Sequence, residues 1–227
     1  MGVNPLFLSI VIPTLNEAAQ IETTLRGLAA LRSTEVELIV ADGGSGDATC
    51  ALARPLCDAL ISSPRGRAAQ MNAGAAQARG ANLLFLHADT TLPSGALDAL
   101  KNSLQSHSWG RFDVRLDGSH FLLRIVEAMM NVRSRFTGIA TGDQAIFVRR
   151  DAFEAVGGFA ELPLMEDIDL SAKLKKRGPP ACLRARVVTS ARRWESRGVL
   201  RTIGLMWGLR AAYFFGVPPV TLARWYR

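Results

Sequence analysis

Three cysteines in 227 residues, at positions 50, 57 and 182, are too few for a disulfide framework, and their spacing matches no metal-binding pattern. They read as reduced thiols and point to a cytoplasmic protein. No uninterrupted apolar run approaches the ~18 residues that a membrane-spanning helix requires. The first apolar run, Leu6 to Ile12, has no charged segment before it and is followed by polar residues, so it is expected to be a strand and not a signal peptide. That strand is not followed by G-x-G-x-x-G, which argues against a dinucleotide-binding oxidoreductase. Aromatic residues make up 7% of the chain, which leaves little for stacking on nucleic-acid bases. Acidic residues are scarce from Lys173 onward, and the formal charge is +7. Such a tail attracts nucleic acid, anionic lipid or a phosphorylated substrate and selects none of them.

What is present is globular in composition: 48% hydrophobic and 21% charged residues. Strand-like runs alternate with helical periodicity over the first hundred residues. Leu6–Ile12 is stopped by Pro13, and Ile21, Leu25 and Leu28 mark a helix face. Glu35–Ala41 is a second strand, followed by Asp42-Gly43-Gly44-Ser45-Gly46-Asp47, where Ser45 or Asp47 can cap the next helix. Ala59–Ile61 is a third strand, and Ala68–Arg79 an alanine-rich helix. Leu83–Leu86 has no polar alternation, as expected of a strand buried on both faces. Ser94 is expected to cap a helix running to Leu104. The alternation predicts an α/β fold with a mostly parallel, doubly wound sheet and flanking helices.

Farther on, Trp109–Leu116 and Ala145–Val148 read as strands. Phe121–Arg135 reads as a helix with Leu122, Ile125, Val126 and Met129 on its apolar face. Glu166–Arg177 and Gly198–Phe215 are further helices, the last stopped by Pro218-Pro219. With no linker and no repeat, residues 1–227 are expected to form one domain, divided into 1–105, 106–197 and a basic amphipathic helix at 198–227.

In open α/β sheets, ligands sit beyond the carboxyl ends of the strands. Asn16 and Glu17, Asp42, and Asp89 follow three strands in turn and together would define a polar cleft, although each alone would serve as a turn or cap residue. Asp89 can hold a hard divalent cation that bridges phosphate oxygens. Arg65 and Arg67 open a helix and can either meet phosphate or be solvated. Glu166, Asp167 and Asp169 lie in the first turn of one helix. The helix dipole favours acids there, and one of them facing the cleft would also suit a general base.

The ordered segments IVIPTLNE, VADGGSGD, RGRAAQMNAG, LLFLHADTTLP, GDQAIFVRR, VGGF, PLMEDIDL and SARRW resemble the family-2 glycosyltransferases of GT-A fold, and most closely a small bacterial subgroup called "transferase 2". The match runs from about Leu8 to beyond Trp194. The resemblance implies an inverting transfer of one sugar from a nucleotide-diphosphate sugar to an acceptor hydroxyl. By it, Pro13, Thr14, Asn16, Glu17, Asp42, Gly43, Arg67 and His87 would contact the donor, and Asp89 would ligate Mg²⁺ or Mn²⁺. Asp167 would be the catalytic base, with Glu166 beside it. Asp143, Gln144, Arg193 and Trp194 would meet the acceptor. His87 departs from the family pattern, standing where the first aspartate of Asp-x-Asp is usual. Ser190 departs from it too, replacing the glutamine of the Gln-x-x-Arg-Trp motif found in processive synthases, which favours single-sugar transfer.

An aspartyl phosphatase would need its nucleophile where His87 stands. A sugar-phosphate nucleotidylyltransferase would carry a glycine-rich basic loop in place of PTLNE. The alternative kept open is a non-catalytic nucleotide-sugar-binding or membrane-surface module on the same fold. The C-terminal helix is expected to pack on the domain, to form a homodimer, or to lie at the inner face of the membrane, which would accompany a lipid-linked acceptor. No nucleic-acid partner is expected.

Overall fold

A computed structural model describes residues 6–226, apart from the side chains of Arg193 and Arg197. The strands β1 (Leu8–Thr14), β2 (Val36–Asp42), β3 (Ala59–Ser62) and β4 (Asn82–Phe85) are mutually parallel. They are joined through α1 (Ile21–Leu28), α2 (Thr49–Ala53) and α3 (Arg67–Gln77). All seven residues of β2 and all four of β4 are buried, as expected for strands covered on both faces. Alternate side chains divide between two cores. Ile10, Ile12, Leu38 and Val40 pack against Ile21, Leu25 and Leu28 of α1. Val11, Ile39 and Phe85 face Ala68, Met71 and Ala75 of α3. Helix α3 approaches β1 so closely that a Cβ on Gly74 would lie 2.3 Å from Val11 Cγ1.

The second half completes one sheet in the order β3-β2-β1-β4-β7-β6-β8-β5, with β5 Thr90–Thr91, β6 Trp109–Asp117, β7 Phe147–Arg149 and β8 Ala181–Ser190. β7 runs antiparallel to both β4 and β6, and β5 antiparallel to β8, while β6 and β8 are parallel. The sheet is therefore mixed beyond β4. β8 was not foreseen because Arg184 and Arg186 interrupt its apolar residues. Both are exposed on one face of the strand, so the interruption is the solvated half of a two-residue period.

Further helices are α4 (Ala96–Ser103), α5 (Phe121–Thr137), α6 (Arg150–Ala155), α7 (Glu166–Lys175), α8 (Arg192–Arg197), α9 (Val199–Phe214) and α10 (Pro219–Tyr226). Ser94 does not cap α4; the N-cap is Gly95, in left-handed conformation at φ 73°. Pro218 follows the end of α9, but Pro219 opens α10 instead of ending helical structure. Proline suits a first helical turn because the amide it lacks has no intrahelical acceptor there. The C-terminal region is thus two helices, not one.

The largest departure concerns α5. Its buried residues are Leu123, Val126, Glu127, Met130, Asn131 and Ser134, whereas Ile125 and Met129 of the expected apolar face are exposed. The cause lies in β6, which pairs with β7 only at Trp109 and Gly110 and leaves later backbone groups without a strand. Side chains of α5 replace that strand. Asn131 Oδ1 accepts from Val114 N at 2.8 Å, and Asn131 Nδ2 donates to Val114 O at 3.0 Å. Glu127 accepts from Leu116 N at 2.6 Å, and Arg124 donates to Leu116 O at 2.6 Å. Buried backbone groups must be paired, so Glu127 and Asn131 turn inward beside Leu123, Val126 and Met130, and Ile125 and Met129 are left outward.

Candidate active site

Parallel pairing brings the carboxyl ends of β1, β2 and β4 to one edge, where a cleft of about 710 Å³ opens. Pro13, Thr14 and Glu17 come to it from the β1 loop, His87 and Asp89 from beyond β4, and Arg65 and Arg67 from the start of α3. Asp143 arrives from the turn before β7, Glu166 and Asp167 from the N-terminus of α7, and Trp194 from α8.

Asn16, Asp42 and Gly43 do not line this cleft; Asn16 and Asp42 bind the loops beside it. Asn16 adopts φ 55°, a left-handed conformation that asparagine tolerates. Its Oδ1 accepts from Gly46 N at 2.9 Å. Asp42 accepts from Ser45 Oγ at 2.5 Å and from the Gly44 and Ser45 amides at 2.9 Å each. Burial works against the Asp42 carboxylate, but these bonds prevail and hold its pKa below the usual value. Gln70 of α3, which sequence reasoning did not single out, donates to Thr14 O at 2.5 Å and Ala41 O at 3.0 Å. A Cβ on Gly43 would press on that amide at 3.0 Å.

Asp89 keeps one oxygen near Thr90 and Thr189 hydroxyls, each 3.4 Å away. Its other oxygen is 3.6 Å from Arg192, which lies equally far from Glu17. Glu17 has a raised pKa, from burial first and then from repulsion by Asp89. The antiparallel pairing of Thr90 with Thr189 curls the sheet and returns the end of β8, with Arg192 after it, to Asp89. Arg192 falls within the SARRW segment, but sequence reasoning assigned it no role, because no local pattern specifies a contact 103 positions away.

His87 Nδ1 is 3.4 Å from Asp143, and its buried Nε2 has no hydrogen-bond partner among the described residues. A Cβ on Gly142 would fall 2.6 Å from that nitrogen, so glycine is needed for the ring to fit. Gly142 N donates to Asp167 Oδ2 at 2.8 Å, and Ile168 N to Asp167 Oδ1 at 2.7 Å. Glu166 is buried and meets Arg67 at 3.4 Å. Its pKa is nevertheless raised, because burial and the neighbouring Asp167 outweigh the arginine. Met165, immediately before α7, has φ 70°, a conformation costly for a residue with a side chain and frequent at functional sites.

Gln144 does not reach the cleft. It is fully buried and donates to Ser134 Oγ at 3.0 Å, and its carbonyl accepts from Thr141 N at 3.2 Å. The side chain of Arg193 lies outside the described residues. Arg210 and Met206 of α9 also line the cleft, although sequence reading assigned that helix no part in a site. The arrangement offers carboxylates, cations and an aromatic ring around one polar space, suited to a phosphorylated, hydroxylated ligand.

Residues 9–156 match the model of the family "Glycosyl transferase family 2". A PGL/p-HBAD biosynthesis glycosyltransferase of Mycobacterium bovis is 40% identical over 95 residues, covering 39% of this chain and 37% of that protein. The chain thus spans little more than a third of the length of that curated relative. Among solved structures, S. aureus TarS 1–349 is similar with a TM-score of 0.69 and 18% identity, covering 82% of this chain and 61% of that one. Glucosyl-3-phosphoglycerate synthase from Mycobacterium tuberculosis, solved with Mn²⁺, UDP and glucosyl-3-phosphoglycerate, has a TM-score of 0.61 and 20% identity, covering 81% and 71%.

Proposed function

Since the chain belongs to glycosyl transferase family 2, we propose that it moves one sugar from a nucleotide-diphosphate donor to an acceptor hydroxyl. The observation that carries this is the meeting in one cleft of Asp89, from the end of a central strand, and Asp167, from a helix start. Support comes from similar structures holding UDP-GlcNAc, in TarS, and UDP with Mn²⁺, in the mycobacterial synthase.

In this reading Pro13, Thr14 and Glu17 face the nucleoside, on a loop braced by Asn16, Asp42 and Gly43. Arg65 and Arg67 set positive charge near the diphosphate. Asp89 fits a hard divalent cation: its carboxylate is partly exposed, and among the described residues no protein cation approaches closer than 3.6 Å. Among the described residues no group of three acidic, histidine or cysteine side chains could hold an ion. The donor's phosphate oxygens would complete the shell, as is usual for Mg²⁺. Bound there, Mg²⁺ or Mn²⁺ would neutralise charge on the departing diphosphate.

Asp167, oriented by the Gly142 and Ile168 amides, accepts the proton of the acceptor hydroxyl. The hydroxyl oxygen bonds to the anomeric carbon as the bond from that carbon to the diphosphate oxygen breaks, its electron pair leaving with the nucleotide. Attack opposite the leaving group inverts the anomeric configuration. Glu166, buried against Arg67, positions the start of α7. Trp194 offers a face for a sugar ring, and Asp143 and His87 line the same side.

Calorimetric titration of UDP, GDP, CDP and dTDP, with and without Mn²⁺, tests the donor site. One nucleotide should bind with metal, and Asp89→Ala should weaken it about tenfold or more, equivalent to 1.4 kcal/mol. Asp167→Asn should retain that binding and lower turnover about 10²–10⁴-fold, the range for general-base catalysis. Failure of all four nucleotides to bind would reject the assignment.

A further inference from the structure

Between α5 and α9 lies a second cavity of about 280 Å³, walled largely by Val126, Met129, Met130, Ile203, Met206 and Trp207. It adjoins the cleft and shares Asp143, Trp194, Met206 and Arg210 with it. Arg210 stands at this junction, with Arg133 near it in the groove. Arg133 lines the groove, and its Nε and Nη2 are buried without a hydrogen-bond partner among the described residues. Its Nη1 donates to Ile139 O at a long 3.4 Å. Burial, and then repulsion from Arg210, bring the Arg133 pKa down to about 10. Burial likewise lowers that of Arg210, against the attraction of Asp167 and Asp143. Buried donors left unpaired are costly, and paired like charges more so, unless an anion joins them.

The groove opens outward between two apolar surfaces. Phe121, Ile125, Met129, Val132 and Phe136 are exposed along one face of α5 at helical spacing, and Leu200, Trp207 and Phe214 are exposed on α9. Met129, Val132 and Trp207 belong both to these surfaces and to the groove. The chain has no Asp or Glu after Gly198, whereas Arg201 and Arg224 are exposed. Apolar surface edged by arginine suits an anionic lipid layer. Neither α9 nor α10 holds a carboxylate through which a second copy, packed face to face, could pair these arginines.

We propose that the acceptor is an anionic amphiphile, with its apolar chain in the groove between α5 and α9, its anionic group at Arg133 and Arg210, and its hydroxyl extended to Asp167. The hydroxyl's role rests on the transfer reaction above; the occupancy of the groove does not. Trp194 and Trp207 line the groove and report on it by fluorescence. The full chain is titrated with farnesyl phosphate below its micelle concentration, and separately with farnesol and inorganic phosphate. UDP binding is followed by calorimetry on the same samples.

Farnesyl phosphate should shift the emission saturably, farnesol should bind about tenfold more weakly or less, and inorganic phosphate should cause no shift. Val132→Asp, at an exposed position that folding tolerates, should weaken farnesyl phosphate about tenfold or more and leave UDP binding unchanged. UDP binding without farnesyl phosphate binding would overturn this inference and spare the donor site. The reverse result would spare the groove and remove the transfer reading. Equal affinity for farnesol, or binding undisturbed by Val132→Asp, would overturn it as well. So would a dimer, seen by sedimentation, that buries the groove and excludes the probe.

Discussion

Glu37 and Glu166 are both buried carboxylates, and their surroundings drive them in opposite directions. Burial raises the pKa of Glu37, but bonds from Ser9 Oγ at 2.6 Å, Arg79 N at 2.6 Å and Arg79 Nε at 2.8 Å outweigh it and hold the value below normal. A lowered carboxyl stabilises the fold above its unfolded pKa of about 4.3 and loses that contribution as pH falls through the folded value. Glu37→Gln should therefore cost about 1–3 kcal/mol at pH 7, the range for a charged hydrogen-bond partner. In urea denaturation the gap from wild type should narrow below about pH 4. A gap constant with pH would mean that packing, not charge, holds Glu37. Glu17 and Glu166 have raised values, so their contribution has the other sign: it is present below the unfolded pKa and lost as pH rises through the folded one. The cleft keeps carboxylates where they cost stability, as functional sites do.

Among the elements, α5 shows where apolar periodicity misleads. Its sequence carries apolar residues at helical spacing on more than one face, and periodicity cannot rank them. The choice is made by β6, whose unpaired Val114 and Leu116 backbone groups require polar side chains. Asn131→Leu should leave Val114 N and O buried without partners and cost about 2–4 kcal/mol in urea denaturation, despite leucine's better helix propensity. A loss below about 1 kcal/mol would show that Val114 finds other partners. By contrast, β1, β2 and β4 were legible because burial on both faces leaves a continuous apolar run, and α1 because Ile21, Leu25 and Leu28 form its single apolar stripe. β8 and α10 were missed for local reasons, two solvated arginines in one and a proline at the first helical position in the other.

For the whole molecule, the cleft gathers residues from both halves of the chain, so a bound nucleotide should hold the halves together. A ligand that binds only the folded state adds about 2.7 kcal/mol at one hundred times its Kd. With Mn²⁺ and the preferred nucleotide, thermal unfolding should shift upward, and Asp89→Ala should show little of that shift. A full shift in the variant would remove Asp89 from the nucleotide site. Among the described residues no helix is long and apolar enough to cross a membrane, and the exposed large apolar side chains gather on α5, on α9 and its end, and on α10.

The first four strands, and the placing of Glu17, Asp42 and Asp89 at or just beyond the carboxyl ends of three of them, follow from the sequence by itself, since buried strands and tight polar turns are written in neighbouring residues. So does the acidic start of α7. The spatial order of the sheet does not. Only the tertiary structure decides which of these residues face the cleft. It leaves Asn16, Asp42 and Gly43 out of the cleft's lining and buries Gln144 under α5, and it brings Arg192 to Asp89 and Arg210 toward Asp167. Those placements depend on backbone groups that must find partners across long stretches of chain, and on a sheet that curls back to its own edge. No local pattern records either requirement.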